Sequence, residues 1–232
     1  ELEVNGERIT GQKIYISVGV RPNAPPIPGL VETPYWTSTE ALRNTVLPKR
    51  LLVIGGGYIA VELGYMYGML GSEVEFLVRS RLIRFEDREI SDEFSRVFSQ
   101  RFPIHCGETI TQVEYRDRQF RVTCQDENGQ QVVREADQLL VATGVDSNSD
   151  TLNLDATGVQ VDRLGYIQVN DYLETAEPGV YAFGDVLGRH LFRHTANYEG
   201  EYLYKQLVAG ADGAFPITYP PIPHAIFTNP QV

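Results

Sequence analysis

The chemistry-bearing residues of this chain gather in one run, where Leu51 to Ile54 lead directly into Gly55-Gly56-Gly57 and then Tyr58-Ile59-Ala60-Val61-Glu62-Leu63-Gly64. That order predicts a strand, a tight turn and a helix, a combination suited to holding phosphate. Gly55 permits the sharp exit from the strand, Gly57 lets the backbone come close to a pyrophosphate, and Ala60 stands where a third small residue meets the strand. Tyr58 and Ile59 start the helix, whose partly positive N-terminus would face the phosphates. Ile59, Leu63, Met66, Tyr67 and Leu70 recur at helical spacing and are expected to pack on the sheet. The pattern ends near Gly68 and Gly71, and Glu73 to Val78 reads as the next strand. Gly-x-Gly-x-x-Ala alone is a weak signal; followed by a helix and a second strand, it opens a dinucleotide-binding βαβ unit of Rossmann type.

The end of that second strand decides which nicotinamide cofactor fits. NAD enzymes place a carboxylate there to accept from the ribose 2′-hydroxyl. This chain has Val78, followed by Arg79, Arg81 and Arg84. Guanidinium groups so grouped could hold a 2′-phosphate by charge-assisted bonds, which favours NADP over NAD. The alternative is a solvated arginine loop. Glu75 has roughly the spacing of an NAD-type acid but falls before the strand end. Glu62 lies one helical turn after Tyr58, so both project from one face near the helix start. It is either a functional carboxylate or simply a favourable charge in the first turns of a helix.

Elements on both sides must position this unit. Leu2 to Val4 and Lys13 to Val18 flank the hairpin signal Asn5-Gly6, and a short helix is expected over Ser38 to Asn44. Asp87 to Arg101 carries Ile90, Phe94, Val97 and Phe98 at helical spacing. Ile110 to Tyr115, Phe120 to Gln125 and Gln131 to Glu135 read as an antiparallel meander, and Leu139 to Ala142 as a buried strand stopping at Thr143-Gly144. Asp146 to Asp150 reads as a polar loop, Tyr166 to Val169 and Val180 to Phe183 as strands, and Thr195 to Val208 as a helix with Tyr198, Tyr202 or Leu203, and Leu207 inward. Tyr219 to Pro223 is a stiff linker, after which Ala225 to Phe227 starts a strand.

With 232 residues, 42% of them hydrophobic, the chain can bury a sizeable core, and a net charge of -11 argues against a nucleic-acid surface. Its two cysteines, Cys106 and Cys124, suit neither a disulfide scaffold nor a Cys-x-x-Cys motif; both are expected to be packing thiols in a reducing cytoplasm. No stretch has the roughly 18 apolar residues that would span a bilayer, and no metal site is read. The abrupt opening at Glu1 reads as a piece of a longer protein.

Four motifs in order, Gly55 to Glu62, Leu140-Val141-Ala142-Thr143-Gly144, Gly179-Val180-Tyr181-Ala182-Phe183-Gly184-Asp185 and Phe227-Thr228-Asn229-Pro230, resemble those of the pyridine nucleotide-disulfide oxidoreductases. That family includes dihydrolipoamide dehydrogenase, mercuric reductase and mycothione reductase. The resemblance implies an α/β fold, a Rossmann-like NAD(P)-binding domain with a β-meander inserted in an FAD-binding domain. Residues 48–144 would be the NAD(P) domain, 1–47 and 145–215 parts of the FAD domain, and 216–232 a linker and the start of a dimerisation domain. It also implies that Glu62 lies near the nicotinamide and pairs with a lysine upstream, and that Tyr58 covers the pocket. Gly19, Thr143 and Gly144 would belong to strand-closing turns near the cofactors. Asp185, after Gly184, would bond FAD, with His194 and Thr195 opening a helix that faces the flavin. Gly184-Asp185 could otherwise be a plain turn, and His194 a capping or surface histidine. The segment Gly144-Val145-Asp146-Ser147-Asn148 departs from the family's Gly-Arg-x-Pro-Asn, which leaves one FAD contact without its arginine.

Relatives pass hydride from nicotinamide to FAD and on to a Cys-x-x-x-x-Cys disulfide, with a C-terminal His-x-x-x-x-Glu pair handling protons. This chain has no such cysteine pair. The spacing of His194 and Glu199 imitates the proton pair but falls on the flavin-side helix, and reads as coincidence. The expectation is therefore the nucleotide-binding portion of a homodimeric, dihydrolipoamide dehydrogenase-like enzyme acting on a small-molecule disulfide or related acceptor, inactive as a fragment. A nucleotide-binding or regulatory module without disulfide chemistry is the alternative.

The arginines give the first prediction. A hydrogen bond to a charged group contributes about 1.5 to 3 kcal/mol, so removing one phosphate contact should weaken NADPH binding by roughly 10 to 100-fold. NADH should change much less. Calorimetric titration of Arg79→Ala, Arg81→Ala and Arg84→Ala at low salt checks this; equal losses for both cofactors would identify a solvated loop.

Overall fold

The computed structural model describes residues 1–207 and 215–232, without the side chain of Leu207. In chain order the strands are β1 (Leu2–Val4), β2 (Glu7–Ile9), β3 (Ile14–Ile16), β4 (Val20–Pro22), β5 (Arg50–Ile54), β6 (Glu73–Val78), β7 (Ile104–Cys106), β8 (Thr109–Arg116), β9 (Gln119–Gln125), β10 (Gln131–Ala136), β11 (Gln138–Val141), β12 (Val145–Ser147) and β13 (Val180–Ala182). The helices are α1 (Ser38–Arg43), α2 (Tyr58–Leu70), α3 (Arg88–Phe98) and α4 (Arg193–Leu207). The chain divides into two compact units, residues 22–144 with 224–232, and residues 1–21 with 145–223. Residues 22–47, read from sequence with the opening segment, thus cluster with the central strands.

In the unit of residues 22–144, β5, β6 and β7 follow one another through α2 and α3, and β11 joins on the other side of β5, giving a parallel sheet of order β11-β5-β6-β7. The strands are apolar on both faces, as parallel strands covered on both sides must be. Leu51, Val53, Val74, Phe76, Val78 and Leu140 share a core with α2 and α3. The alternate residues Leu52, Ile54, Leu77, Leu139 and Val141 share another with Val113, Phe120 and Val122 of the antiparallel meander β10-β9-β8.

The helix α2 lies on the sheet by a face that matches the expected one only in part, at Leu63, Tyr67 and the partly buried Met66. Ala60, Val61, Leu63, Gly64 and Tyr67 are buried, whereas Ile59 is 42% and Leu70 62% exposed. The helix is apolar nearly all round, so periodicity could not select the inner face. Small residues select it: a Cβ at Gly64 would stand 2.3 Å from Cζ of Phe76, and one at Gly68 2.4 Å from Phe102. Gly71 then ends the helix in the left-handed conformation (φ 111°), its N–H bonded to the Gly68 and Tyr67 carbonyls. The helix α3 is shorter than the expected span to Arg101; it buries Phe94 and Phe98 but leaves Ile90 42% exposed.

In the unit of residues 1–21 and 145–223, β3 pairs in parallel with β13, and α4 and the 3₁₀ turn Gly184–Leu187 pack beside them. Its core contains Ile16, Ile167, Leu173, Ala182, Val186, Tyr202 and Leu203. Several local expectations differ here. Asn5-Gly6 closes a hairpin between β1 and β2, not with Lys13 to Val18. Asp146 to Asp150 is not a loop: Val145–Ser147 forms β12 beside β4, and Asn148–Thr151 a 3₁₀ turn. Tyr166 to Val169 reduces to a single bridge, Val161 with Ile167. Tyr198 is 39% exposed. In the other unit, Ala225 to Phe227 is not a strand. The expected end of the last helix at Val208 and the inward placement of Leu207 lie outside the described residues.

The glycine contacts generate a stability contrast. Gly64→Ala gains helix propensity of up to about 1 kcal/mol but forces a methyl into the fully buried ring of Phe76, and overpacking of this kind costs about 1 to 3 kcal/mol. The clash should win, giving a net loss of about 1 to 2 kcal/mol in urea unfolding. Gly57 has an ordinary φ of -85° and open space at its Cβ. Gly57→Ala should therefore unfold within about 0.5 kcal/mol of wild type.

Candidate functional site

The order of the parallel sheet reverses between β5 and β11, and open α/β sheets bind ligands at such a point, outside the C-terminal strand ends. Gly55 leaves β5 there with φ 132° and donates its N–H to Leu77 O at 3.0 Å. A Cβ on Gly55 would lie 2.2 Å from Ala142 O, so the turn needs glycine because β11 runs beside it. Gly56 is needed for a reason absent from the sequence reading: its Cβ would lie 2.7 Å from Cγ1 of Val78. Gly57 opens α2 with no side-chain cap and nothing within 4 Å of its Cβ position. Its surroundings thus leave room for a phosphate at an uncapped helix N-terminus. Ile59, exposed in that first turn, faces away from the core it was expected to join. Thr143 and Gly144 are exposed just beyond β11, and Gly144 accepts the Asn23 N–H at 3.0 Å.

The loop after β6 folds back over this turn, with the Ile83 N–H bonded to Gly56 O at 2.6 Å. Its arginines have unlike surroundings. Arg81 Nη2 donates to Arg84 O at 3.0 Å, and the Arg84 guanidinium lies 4.6 Å from the ring centre of Phe85. Arg79 is exposed immediately after the strand and makes no ion pair among the described residues. Glu75 is engaged elsewhere, 2.9 Å from His105 Nε2 and 3.7 Å from Arg134 Nη1. Arg134 also forks onto Glu108 and holds that carboxyl below its usual range.

Tyr58 and Glu62 leave the start of α2 toward different partners. Glu62 Oε1 accepts the Phe227 N–H at 2.9 Å. The Tyr58 hydroxyl donates to Glu86 Oε1, which His224 Nε2 also approaches at 2.9 Å, and the Tyr58 and His224 rings lie 5.7 Å apart. Burial and the Glu86 carboxylate push the Tyr58 hydroxyl above its ordinary value. Burial alone would raise Glu86, but the bonds from Tyr58 and His224 outweigh it and hold Glu86 low. Glu86 and His224 were not found by sequence reasoning, and at 138 residues apart no local pattern links them.

In the other unit, Gly184 turns out of β13 with φ 78°. Its N–H donates to Glu199 Oε2 at 2.6 Å, and Glu199 Oε1 accepts the Tyr219 hydroxyl at 2.6 Å. Next to this braced turn, Asp185 Oδ1 is buried without a hydrogen-bond partner, as is Thr195 Oγ1 in the first turn of α4. Burial pushes the Asp185 carboxyl upward. Orphaned buried polar atoms are uncommon in native structures and call for a partner, strain or a functional role. Ser95 Oγ and Gln206 Nε2 are also unpartnered, but Asp185 and Thr195 lie together beside a strand-end turn. This fits a polar cofactor such as FAD. Gly19 has φ 68° and open space at its Cβ position, and accepts the Asn148 N–H at 3.1 Å. His194 is exposed and stacked on Phe192 with ring centres 5.3 Å apart. Glu199 and Tyr219 were also missed as site residues. The signal for Glu199 was its place on the helical stripe Thr195, Glu199, Tyr202 and Leu203, all buried.

Cys124 is buried and Cys106 exposed, so only the first is the packing thiol expected. Burial and the Glu108 carboxylate push Cys124 up to about 12, and partial loss of water contact raises the Cys106 thiol, which suits neither to act as a thiolate nucleophile. Among the described residues, no group of His, Cys, Asp and Glu is placed to hold a metal ion, and no helix is long and apolar enough to cross a membrane.

Comparison with known proteins identifies the family and the fold. Mercuric reductase of Staphylococcus aureus is 39% identical over the whole chain, and that of Lysinibacillus sphaericus 38%; the chain spans 42% of each. A solved Cu(II) complex of the HOCl-induced flavoprotein disulfide reductase RclA of Escherichia coli superposes with a TM-score of 0.85 at 28% identity, covering 95% of this chain and 49% of that one. The chain thus spans about two fifths to half of these relatives. The similar sequences are named mercuric reductases, whereas the sequence reading leaned toward dihydrolipoamide dehydrogenase. The model of the family described as pyridine nucleotide-disulphide oxidoreductase matches residues 1–200, and the chain belongs to that family.

Proposed function

We propose that this chain forms the dinucleotide-binding portion of a homodimeric flavin-dependent oxidoreductase that draws reducing equivalents from NADPH in preference to NADH. Residues 22–144 with 224–232 would hold the nicotinamide cofactor, and residues 1–21 with 145–223 part of the flavin. The observation that carries the reading is the pair of orphaned buried oxygens, Asp185 Oδ1 and Thr195 Oγ1, beside a glycine turn at a strand end. When bound, flavin would accept hydride from the reduced nicotinamide and pass two electrons onward. The names of the relatives favour an acceptor at the thiol level, a disulfide or a thiolate-bound soft metal ion as substrate.

The roles of the side chains follow from their surroundings. Gly57 leaves space for the pyrophosphate at the N-terminus of α2. Arg79, exposed at the end of β6, is the best placed of the three arginines for a 2′-phosphate, because Arg81 is bonded within its own loop. Tyr58, anchored by Glu86, would border the nicotinamide, with Glu62 as the carboxylate nearest it along α2. Asp185 and Thr195 would complete their bonding on the flavin.

Two substitutions should separate the two sites. In the full gene product carrying these residues, Asp185→Ala should weaken FAD binding by roughly 10 to 100-fold, the loss of a charged hydrogen bond, and leave NADPH affinity nearly unchanged. Gly57→Ala should do the reverse, by about tenfold or more. Fluorescence titration with FAD and calorimetry with NADPH and NADH measure both. Unchanged FAD affinity in Asp185→Ala would remove the flavin reading. Tight binding of both nucleotides without electron transfer to a disulfide or Hg(II) would mark a nucleotide-binding or regulatory module.

A further inference from the structure

The carboxylate of Glu199 is only 2% exposed, and burying a charged carboxylate costs several kcal/mol unless hydrogen bonds replace its water. Its two oxygens are taken by different elements: Oε2 by the backbone N–H of Gly184 and Oε1 by the hydroxyl of Tyr219, each at 2.6 Å. Charge-assisted bonds of this length are among the stronger ones available to a side chain. Tyr219 lies on the segment after α4. Glu199 thus links the strand-end turn, its own helix and the segment beyond.

The turn it holds is also fixed on its far side, by Gly188 N–H to Asp185 O at 3.0 Å and Ile167 N–H to Val186 O at 3.0 Å, and Glu199 ties its first residue to α4. Gly184 is in a left-handed conformation, and a Cβ there would come within 3.3 Å of Ala196 on α4, so turn and helix are in close contact. The next residue is Asp185, with its buried unpartnered Oδ1, and Thr195, with its buried unpartnered Oγ1, sits one helical turn before Glu199. Resting on the flavin reading above, we propose that Glu199 is a positioning residue of the flavin site: its carboxylate locks the Gly184 turn to α4 so that Asp185 and Thr195 present their open oxygens to the cofactor together. Its spacing from His194 has no part in this. His194 is exposed while Glu199 is enclosed.

The test uses the full gene product, stripped of flavin, with FAD affinity read by fluorescence titration and amide hydrogen exchange read at Gly184. Glu199→Gln keeps an acceptor for Gly184 and a donor toward the Tyr219 oxygen, and should stay within about threefold of wild type. Glu199→Leu should weaken FAD by about tenfold or more, as the loss of a charged hydrogen bond implies, and speed exchange at Gly184 more than at Ala182 in the neighbouring strand. Tyr219→Phe, which removes one bond and keeps the ring, should weaken FAD by about threefold to tenfold. Wild-type FAD affinity in a folded Glu199→Leu protein would overturn the proposal, as would exchange that rises equally throughout the unit. If Glu199→Leu does not fold, Tyr219→Phe decides: unchanged FAD affinity and Gly184 exchange overturn it. Asp185→Ala serves as the reference, because unchanged affinity there rejects the flavin reading itself, whereas a loss there with none in the Glu199 and Tyr219 variants rejects only the role of Glu199.

Discussion

Burial of β5, β6 and β11 on both faces is the constraint from which the candidate site of residues 22–144 follows. With α2 and α3 against one face and the meander against the other, no polar side chain can sit within the strand interior without a partner. Chemistry is therefore confined to where the strands end. The parallel arrangement brings the ends of β5, β6 and β11 out along one edge, so Gly55, Val78 and Thr143 become neighbours although they are far apart in sequence. The close approach of Gly55 to Ala142 O is the local consequence: β11 can run beside β5 only if the turn carries no side chain.

The partly buried charged groups beside the parallel sheet are paired, and the pairing separates structural charges from candidate functional ones. Glu75, His105 and Arg134, on β6, β7 and β10, and Glu108 in the turn after β7 satisfy one another. A carboxylate so engaged is poorly suited to accept from a ribose, which agrees with its place before the strand end. Glu86 is likewise filled, by Tyr58 and His224. Asp185 differs from both: it is partly enclosed, its carboxyl is raised by burial, and one oxygen has no partner. Removal from water without compensation is costly, and a fold that tolerates it at a strand-end turn next to a helix start has the form of a site awaiting a polar ligand.

The two units meet this requirement with different local devices. At Gly57 the open group is the backbone itself, with empty space at an uncapped helix end. At Gly184 the open groups are the side-chain oxygens of Asp185 and Thr195, and the backbone N–H is consumed internally by Glu199. The first device is sensitive to any added carbon, the second to whatever fixes the turn.

Much of this was legible in the amino-acid order, because local sterics and hydrophobic period act over a few residues. The strand, glycine turn and helix at Leu51 to Leu70, the meander, and the Gly184-Asp185 turn all follow from such short-range rules, whereas the family was read from the resemblance of four motifs in order. The inner face of α2 was legible only in part, since an apolar helix has no polar side to turn outward; Phe76 and Phe102, packed against its glycines, decided it. The inner face of α4 was read in part: Tyr202 and Leu203 are buried as expected and Tyr198 is not. The burial of Glu199 was not read, because the Gly184 N–H and the Tyr219 hydroxyl that compensate it come from other segments. The polar loop after Gly144 became a strand because β4 offered it a ladder, a partner more than a hundred residues earlier. The sequence alone determined which segments could turn, coil or extend; tertiary structure decided which polar groups found partners and which, like Asp185 Oδ1 and Thr195 Oγ1, were left open, because hydrogen bonds over long separations depend on packing and not on local order.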